Sequence, residues 1–426
     1  MLDTMKIKKI AIPETPIMIT EFATTGQGIG ILESNLQINS QNYSQYKGIK
    51  VFLWNTIPGE TITEFEITRQ KTYFIEGIAT EIKNYSKSRI NPKDTQFLST
   101  SPWQILTEQA ELAAKSTILT SLFSHLPQSH QKELVLSQNI PIHKSPNNYF
   151  YRNKMEYALY FDHQSETIKP AVHFRGSHLK LPITTSSLEL PAIFEQATQI
   201  ITELNSTHQD ARKYQSLLLR ANQSGKVSGG LLENGKPHPV FQNLTDTILG
   251  STYTYSPSGF FQINLPVYEL VLSKIKDFLV NSESILDLYA GVGTIGLTVA
   301  KDKNLTLVEV NTSAFDELNS NSQHIIQETH NPNIHPVLAK SEAVLDLITD
   351  KRSIILDPPR AGCDEKLIQK LCEIKPEKIV YLSCNPITQV RDLTPLLNFY
   401  QINYLEGYNF FPRTPHIESL VFLTKL

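Results

Sequence analysis

The sequence predicts an α/β, Rossmann-like domain at the C-terminal end, preceded by an N-terminal OB-like β-barrel and a central β-rich α+β segment. Three observations carry this prediction. Residues 285–300 read as an apolar strand, a glycine loop and the start of a helix, the opening unit of a doubly wound sheet. Three further short apolar runs each end in a chemically capable residue, Glu309, Asp357 and Cys384. The first eighty residues are instead broken into short alternating runs by glycine and proline, the pattern of a small barrel.

A chain of 426 residues exceeds one ordinary core, so two or three domains are expected. The division read from the sequence is 1–82, 83–250 and 251–426. No apolar run reaches the ~18 residues needed to span a bilayer, and no membrane association is expected. The segment from Met1 to Lys9 has neither an apolar core nor a cleavage site, so no secretory signal is expected. Cys363, Cys372 and Cys384 are the only cysteines. Three thiols without C-x-x-C spacing suit neither a disulfide framework nor a metal site, and the expectation is a reduced, cytoplasmic protein. A net charge of -3 disfavours a nucleic-acid coat protein, although an enzyme on RNA needs only a local basic surface.

In the first segment, residues 17–20, 51–54, 61–68 and 73–78 are strand-like, with a glycine bend at Gly26, Gly28 and Gly30 and a turn at Pro58, Gly59 and Glu60. Residues 84–101 are polar and loop-like. Residues 102–126 carry apolar side chains at helical spacing, and this helix is expected to dock on the catalytic domain. In the middle segment, residues 157–160 and 171–174 are strand-like, 191–204 helical and 217–225 strand-like again, with a polar tract from Asn205 to Tyr214 between them. Arg152, Lys154, Arg175, His178 and Lys180 make this the most cationic, aromatic-interleaved stretch. Either it contacts RNA phosphates or it is a solvated sheet face.

The last third carries the chemistry. After the strand at 285–288, the loop holds Gly291, Gly293 and Gly296, a G-x-G-x-x-G pattern that by itself could mean a dinucleotide. Asp287 argues for S-adenosylmethionine, because a carboxylate beside the loop repels a pyrophosphate and suits a sulfonium cation. Glu309 closes the next strand, where an acid can accept ribose hydroxyls. Asp357 closes the third and is fixed by Pro358 and Pro359. Cys384 follows the fourth, before the turn at Asn385 and Pro386. A thiolate beside a methyl donor suits methylation of a pyrimidine at C5: addition to C6 makes C5 nucleophilic. A base must afterwards remove the C5 proton, and spacing leaves His416 and Glu418 equally eligible.

Five motifs, in order and spacing, make residues 250–426 similar to the RNA uracil-C5 methyltransferases, which form 5-methyluridine in transfer and ribosomal RNA. They are Phe260-Phe-Gln262-Ile-Asn264, Asp287-Leu-Tyr-Ala-Gly-Val-Gly293, Asp357-Pro-Pro-Arg360, Ser383-Cys-Asn-Pro386, and Phe411-Pro-x-Thr-x-His416-x-Glu418. Upstream, Arg152-Asn-Lys-Met-Glu156 resembles a central-domain motif, and the glycine bend with Pro58-Gly59-Glu60 resembles the RNA-binding TRAM barrel. The resemblance implies Cys384 as nucleophile and Glu418, rather than His416, as base. It also implies Gln262, Tyr289, Thr294, Glu309 and Asp357 as the S-adenosylmethionine site, with Asp357 also reaching the target uracil, which must leave its stack. Arg152, Lys154, Arg175 and Arg360 are the expected RNA contacts, with ribosomal RNA placed ahead of transfer RNA and no obligate protein partner.

Many relatives hold an iron–sulfur cluster on four cysteines. Here residues 97–103 read Phe-Leu-Ser-Thr-Ser-Pro-Trp, and Ser186 and Ser187 stand at the later position, so no thiolate-ligated cluster is expected. Three other readings compete. An amino-group methyltransferase shares the Asp-Pro-Pro turn but needs no cysteine and prefers an aromatic where Arg360 stands. A 5-methylcytosine enzyme would use similar thiolate chemistry. A non-catalytic RNA-binding protein would leave the whole residue set without a purpose.

Overall fold

The computed structural model describes residues 9–127, 139–207, 213–238 and 240–426. Residues 1–8 and the centre of the polar tract, 208–212, lie outside the described residues. The chain divides into two compact units. One contains residues up to Ala114 together with 172–181 and 413–415; the other contains 115–171, 182–412 and 416–426.

The second unit is built on one large sheet. Its parallel strands are β1 (Ser284–Leu288), β2 (Asn304–Glu309), β3 (Ile334–Leu338), β4 (Ser353–Leu356) and β5 (Lys378–Ser383). Two further strands, β6 (Tyr400–Tyr408) and β7 (Glu418–Lys425), complete it in the order β3-β2-β1-β4-β5-β7-β6, with the short strand Ile142–His143 beyond β6. The strand order reverses between β1 and β4, which opens a crevice at their C-terminal ends. β7 runs antiparallel between β5 and β6. Helices α1 (Leu265–Phe278), α2 (Thr294–Val299), α3 (Thr312–Thr329), α4 (Glu365–Ile374) and α5 (Pro386–Leu396) cover the sheet. β1, β4 and β5 are buried almost throughout, as expected of parallel strands covered on both faces. A second sheet in the same unit pairs Lys154–Asp162 with Tyr214–Ala221, which pairs in turn with Val227–Glu233.

In the first unit, strands Ile17–Phe22, Gly28–Ile31, Lys50–Trp54, Phe74–Asn84 and Thr61–Gln70 close on themselves through a pairing of the first with the last. This five-strand ring is the expected OB-like barrel. Ile17, Ile19, Val51, Leu53, Ile62, Phe65 and Ile75 fill it. Gly28 and Gly30 are strand residues rather than a bend. A Cβ on Gly28 would lie 2.3 Å from Thr56 Oγ1 and one on Gly30 2.4 Å from Ile17 Cγ2, so close packing fixes both as glycine. Arg89, read as part of a polar loop, reaches the fully buried Glu60, whose Oε1 accepts from its Nε at 2.6 Å and Oε2 from a terminal nitrogen at 2.8 Å.

The helix expected over 102–126 begins later. Residues Pro102–Ile105 form a 3-10 turn and the α-helix runs Glu108–Phe123. Trp103, buried with its indole N–H donating to Gly26 O at 2.9 Å, holds the turn. Thr107 then caps the helix, accepting from Ala110 N at 3.3 Å. Lys115, in the second unit, is fully buried and donates to Asn409 Oδ1 at 2.5 Å and Phe411 O at 3.2 Å.

Candidate active site

Strand register assembles the site. Leu288 pairs with Val308 on one side and Leu356 on the other, and Leu356 pairs with Tyr381. One residue further along, Glu309, Tyr289 and Asp357 therefore form a row across the crevice. On the far side, Ser383 of β5 faces Ser419 of antiparallel β7. Continued by one residue, that register sets Cys384 opposite Glu418. His416, the other eligible base, is exposed, whereas Glu418 is 7% exposed.

The electrostatics follow from this crowding. Burial, then the carboxyls of Glu418 and Asp357, push the Cys384 thiol up to about 11, while Arg360 pulls it down. Burial and Asp357 hold Glu418 well above the usual carboxylate range, again opposed by Arg360. Burial raises Asp357 to about 7. Two carboxyls and a thiol thus share one low-dielectric site with a single arginine as counter-charge, the kind of clustering that marks functional sites.

The glycine loop is held from below and behind. Asp287 is fully buried; its Oδ2 accepts from Gly296 N at 2.9 Å and its Oδ1 has no partner. Burial carries it up to about 8. The sequence reading placed this carboxylate toward a ligand, but its bonded oxygen organises the start of α2. A Cβ on Gly296 would sit 2.8 Å from that oxygen, which explains the third glycine. Tyr289 takes a left-handed conformation, φ 67°, an unusual state for a bulky residue. Gly291, φ +58°, would meet nothing within 4 Å if it carried a Cβ, so the loop is open on that side.

Glu309 accepts from Gly291 N at 2.8 Å, Val310 N at 2.9 Å and Asn311 N at 2.6 Å. It therefore locks the loop to β2, and a carboxylate's four lone-pair sites leave one for a hydroxyl. Thr294 pairs with Tyr268 through their hydroxyls at 2.8 Å. An open glycine loop, an orphaned buried carboxylate oxygen, a spare acceptor on Glu309 and an acidic floor at Asp357 fit a cationic nucleoside cofactor.

The Asp-Pro-Pro-Arg turn is fastened to α5. Asn385 Nδ2 and Thr388 Oγ1 donate to Arg360 O at 2.8 Å and 3.3 Å. Asp392 Oδ2 accepts from Cys363 N at 2.8 Å and Tyr381 OH at 2.7 Å. The same α5 whose Asn385 cap follows the nucleophile therefore also holds Arg360.

Sequence reading missed Arg220. It sits 1% exposed on the strand Tyr214–Ala221 and donates to Gly259 O and Phe261 O at 3.1 Å each. Lys154 Nζ donates to Ser258 O at 3.0 Å and Gly259 O at 3.2 Å, and Asn153 Nδ2 to Gln262 O at 2.9 Å. Three side chains thus hold the loop that ends in Gln262. A lone arginine inside the apolar run Leu217-Leu-Leu-Arg220-Ala was the available signal. Burial and then Arg220 lower Lys154 to about 8. Arg152, beside it, is partly exposed with its Nε buried and unpartnered among the described residues. Arg175, His178 and Lys180 belong to the first unit. Of the expected RNA contacts, only Arg360 influences Cys384 and Glu418.

Residues 243–426 match the model of the tRNA (uracil-5-)-methyltransferase family. An uncharacterised RNA methyltransferase of Enterococcus faecalis is 26% identical over 466 residues, covering 96% of this chain and 100% of its own. One of Mycoplasma mobile is 38% identical over 184 residues, 43% of this chain and 50% of its own. The crystal structure of Pyrococcus abyssi tRNA (uracil-54, C5)-methyltransferase with S-adenosyl-L-homocysteine superposes at a TM-score of 0.71, with 20% identity and coverage of 96% and 99% of the two chains. The resemblance read from the motifs is borne out over residues 243–426, and with it the enzyme class, an RNA methyltransferase.

Proposed function

We propose that this enzyme methylates C5 of a specific uridine in RNA through a covalent bond between Cys384 and C6. The observation that carries the reading is the antiparallel register of β5 and β7, which sets Cys384 opposite Glu418, with Asp357 near enough to act electrostatically on both. Bound S-adenosylmethionine supplies a sulfonium-activated methyl group and a positive charge. Beside that charge, Asp357 and Glu418 ionise more readily than they do alone. The Cys384 thiol gives its proton to solvent and its sulfur adds to C6 of the flipped uracil, placing negative charge on the ring and making C5 nucleophilic. After C5 has taken the methyl group, the ionised Glu418 carboxylate removes the C5 proton. The electron pair restores the C5–C6 double bond and expels the Cys384 thiolate. Arg360, the one counter-charge, faces the charge that develops on sulfur and ring.

Tyr289, Glu309 and Thr294 line the cofactor side of the loop, with Gln262 presented by the Arg220-held segment. Arg152 and Arg360 are the RNA-facing cations of the catalytic unit, and Lys154 acts there by holding the Ser258 and Gly259 carbonyls. The domains of this enzyme are 1–82 for the barrel, 83–250 for the central part and 251–426 for catalysis, and the end of the 102–126 segment, from Lys115 on, belongs with the last. The target is ribosomal RNA ahead of transfer RNA, in the cytoplasm.

Nucleoside mass spectrometry tests the reading. RNA from a host lacking 5-methyluridine, separated into transfer and ribosomal fractions, is incubated with S-adenosylmethionine and protein. Wild type should form 5-methyluridine in one fraction, Cys384→Ala none, and Glu418→Gln should accumulate a denaturation-stable protein–RNA adduct. A methylated amine, or product from Cys384→Ala, sinks the proposal.

A further inference from the structure

The first unit carries a polar cleft of about 380 Å³ that the catalytic reading leaves unexplained. Ser99, His173, Phe174, Arg175, Gly176, Ser177 and His178 line it. No carboxylate lies in that lining. Arg175 is its only permanent cation, and the side chain is fixed before any ligand arrives. Its guanidinium carbon lies 4.2 Å from the centroid of the Trp54 ring, its backbone N donates to Ser99 Oγ at 3.2 Å, and its Nε donates to Leu98 O. The two terminal nitrogens have no partner among the described residues, and no ion pair engages Arg175. A half-buried, preorganised guanidinium with its donor fork free is a binding group for a tetrahedral oxyanion.

The neighbouring barrel face adds a second kind of contact. Along Lys50–Trp54 the side chains alternate, Val51 and Leu53 into the barrel, Lys50, Phe52 and Trp54 outward. Register places Phe74 beside Lys50 and Glu76 beside Phe52. Phe52 and Phe74 meet edge to face at 5.9 Å, and Arg69 sits 5.7 Å from the Phe74 centroid. A strip of half-exposed rings flanked by Lys50 and by Arg69, which pairs with Glu76 at 3.5 Å, is a platform on which unpaired bases stack.

We propose that the Arg175 cleft binds a backbone phosphate of the substrate RNA and that the Trp54–Phe52–Phe74 strip receives the unpaired bases next to it. This rests on the RNA-methylation reading and extends it to a gripping site on the barrel unit. Arg175 supplies the fork, the Trp54 ring packs against it, and the exposed His173 and His178 add donors at the cleft mouth.

The test uses full-length protein with the RNA fraction that wild type methylates. Arg175→Gln should raise KM for RNA roughly three- to tenfold with kcat unchanged, since one charge-assisted contact is lost. The slope of log binding constant against log salt, from fluorescence anisotropy, should become shallower by about 0.7, the share of one phosphate on a single strand. Arg175→Lys should recover the slope but not the full KM. His178→Glu, an exposed substitution that keeps the fold, should weaken RNA binding by repulsion. Unchanged KM and slope in both Arg175→Gln and His178→Glu, a loss confined to kcat, or a phosphopeptide preferred to RNA at this cleft overturns the inference while wild type remains active. A wild type that methylates no RNA overturns instead the reading on which it rests.

Discussion

Replacing Glu418 by glutamine should lower the pH at which Cys384 becomes reactive, and the size of the starting perturbation is set by the site. The thiol titrates near 9.0 without its surroundings and at about 11 within them. At pH 8 that changes the thiolate fraction from roughly one in ten to roughly one in a thousand, so alkylation should run on the order of a hundredfold slower than for an unperturbed thiol. Burial is the largest cause, followed by the carboxylates of Glu418 and Asp357, with Arg360 opposing them. Where Glu418 is ionised, Glu418→Gln removes a negative neighbour and the midpoint must fall. Where Glu418 still holds its proton, variant and wild type should react alike, because a neutral carboxyl exerts no such repulsion. Arg360→Gln removes the opposing charge and must raise the midpoint. The assay is iodoacetamide alkylation across pH, read by mass spectrometry on the Cys384 peptide so that Cys363 and Cys372 do not contribute. A wild-type midpoint at or below 9, or an upward shift in Glu418→Gln, would refute the electrostatic account of the site.

Burial carries Asp287 up to about 8 in the folded protein against 3.8 for an ordinary aspartate. The folded state therefore binds the proton more tightly, and stability falls as pH rises from about 4 to about 8. Asp287→Asn should flatten that dependence and raise stability at pH 8 by about a few kcal/mol, seen as a larger gain in Tm at pH 8 than at pH 5. Arg220→Met removes the donors to Gly259 O and Phe261 O and should cost about 2–4 kcal/mol in urea unfolding while raising KM for S-adenosylmethionine, because the segment ending in Gln262 loses its clamp. Glu60→Gln leaves Arg89 without its buried counter-charge, with a cost of about 3–5 kcal/mol in thermal unfolding. An effect below about 1 kcal/mol at either position would mean that solvent already satisfies the remaining partner.

Apolar runs end where side chains leave the core, and that physical rule made Glu309, Asp357 and Cys384 legible as strand-end residues from the sequence alone. The barrel was legible because glycine and proline break the first eighty residues into short alternating runs, although Gly28 and Gly30 proved to be strand positions pressed against Thr56 and Ile17 rather than a bend. What the linear chain concealed was partnership. Lys154 was read as an RNA contact and Arg220 was missed, and only the fold reveals that both hold carbonyls of the Ser258–Phe261 turn. Asp287 and Glu309 looked like ligand-facing acids, yet both accept backbone N–H groups of the glycine-loop region. That double use is the physical point, since a carboxylate that shapes the loop from within also fixes the charge the loop presents. The proposed base illustrates the same limit most sharply. Glu418 lies 34 residues beyond Cys384, and no spacing rule chooses it over His416. The choice is made by β7, which enters antiparallel between β5 and β6 and so starts where β5 ends. Were β7 parallel to β5, its first residue would lie at the opposite edge of the sheet. Strand direction, a property of the whole sheet, is therefore what brings a cysteine and a distant glutamate to one end of the sheet.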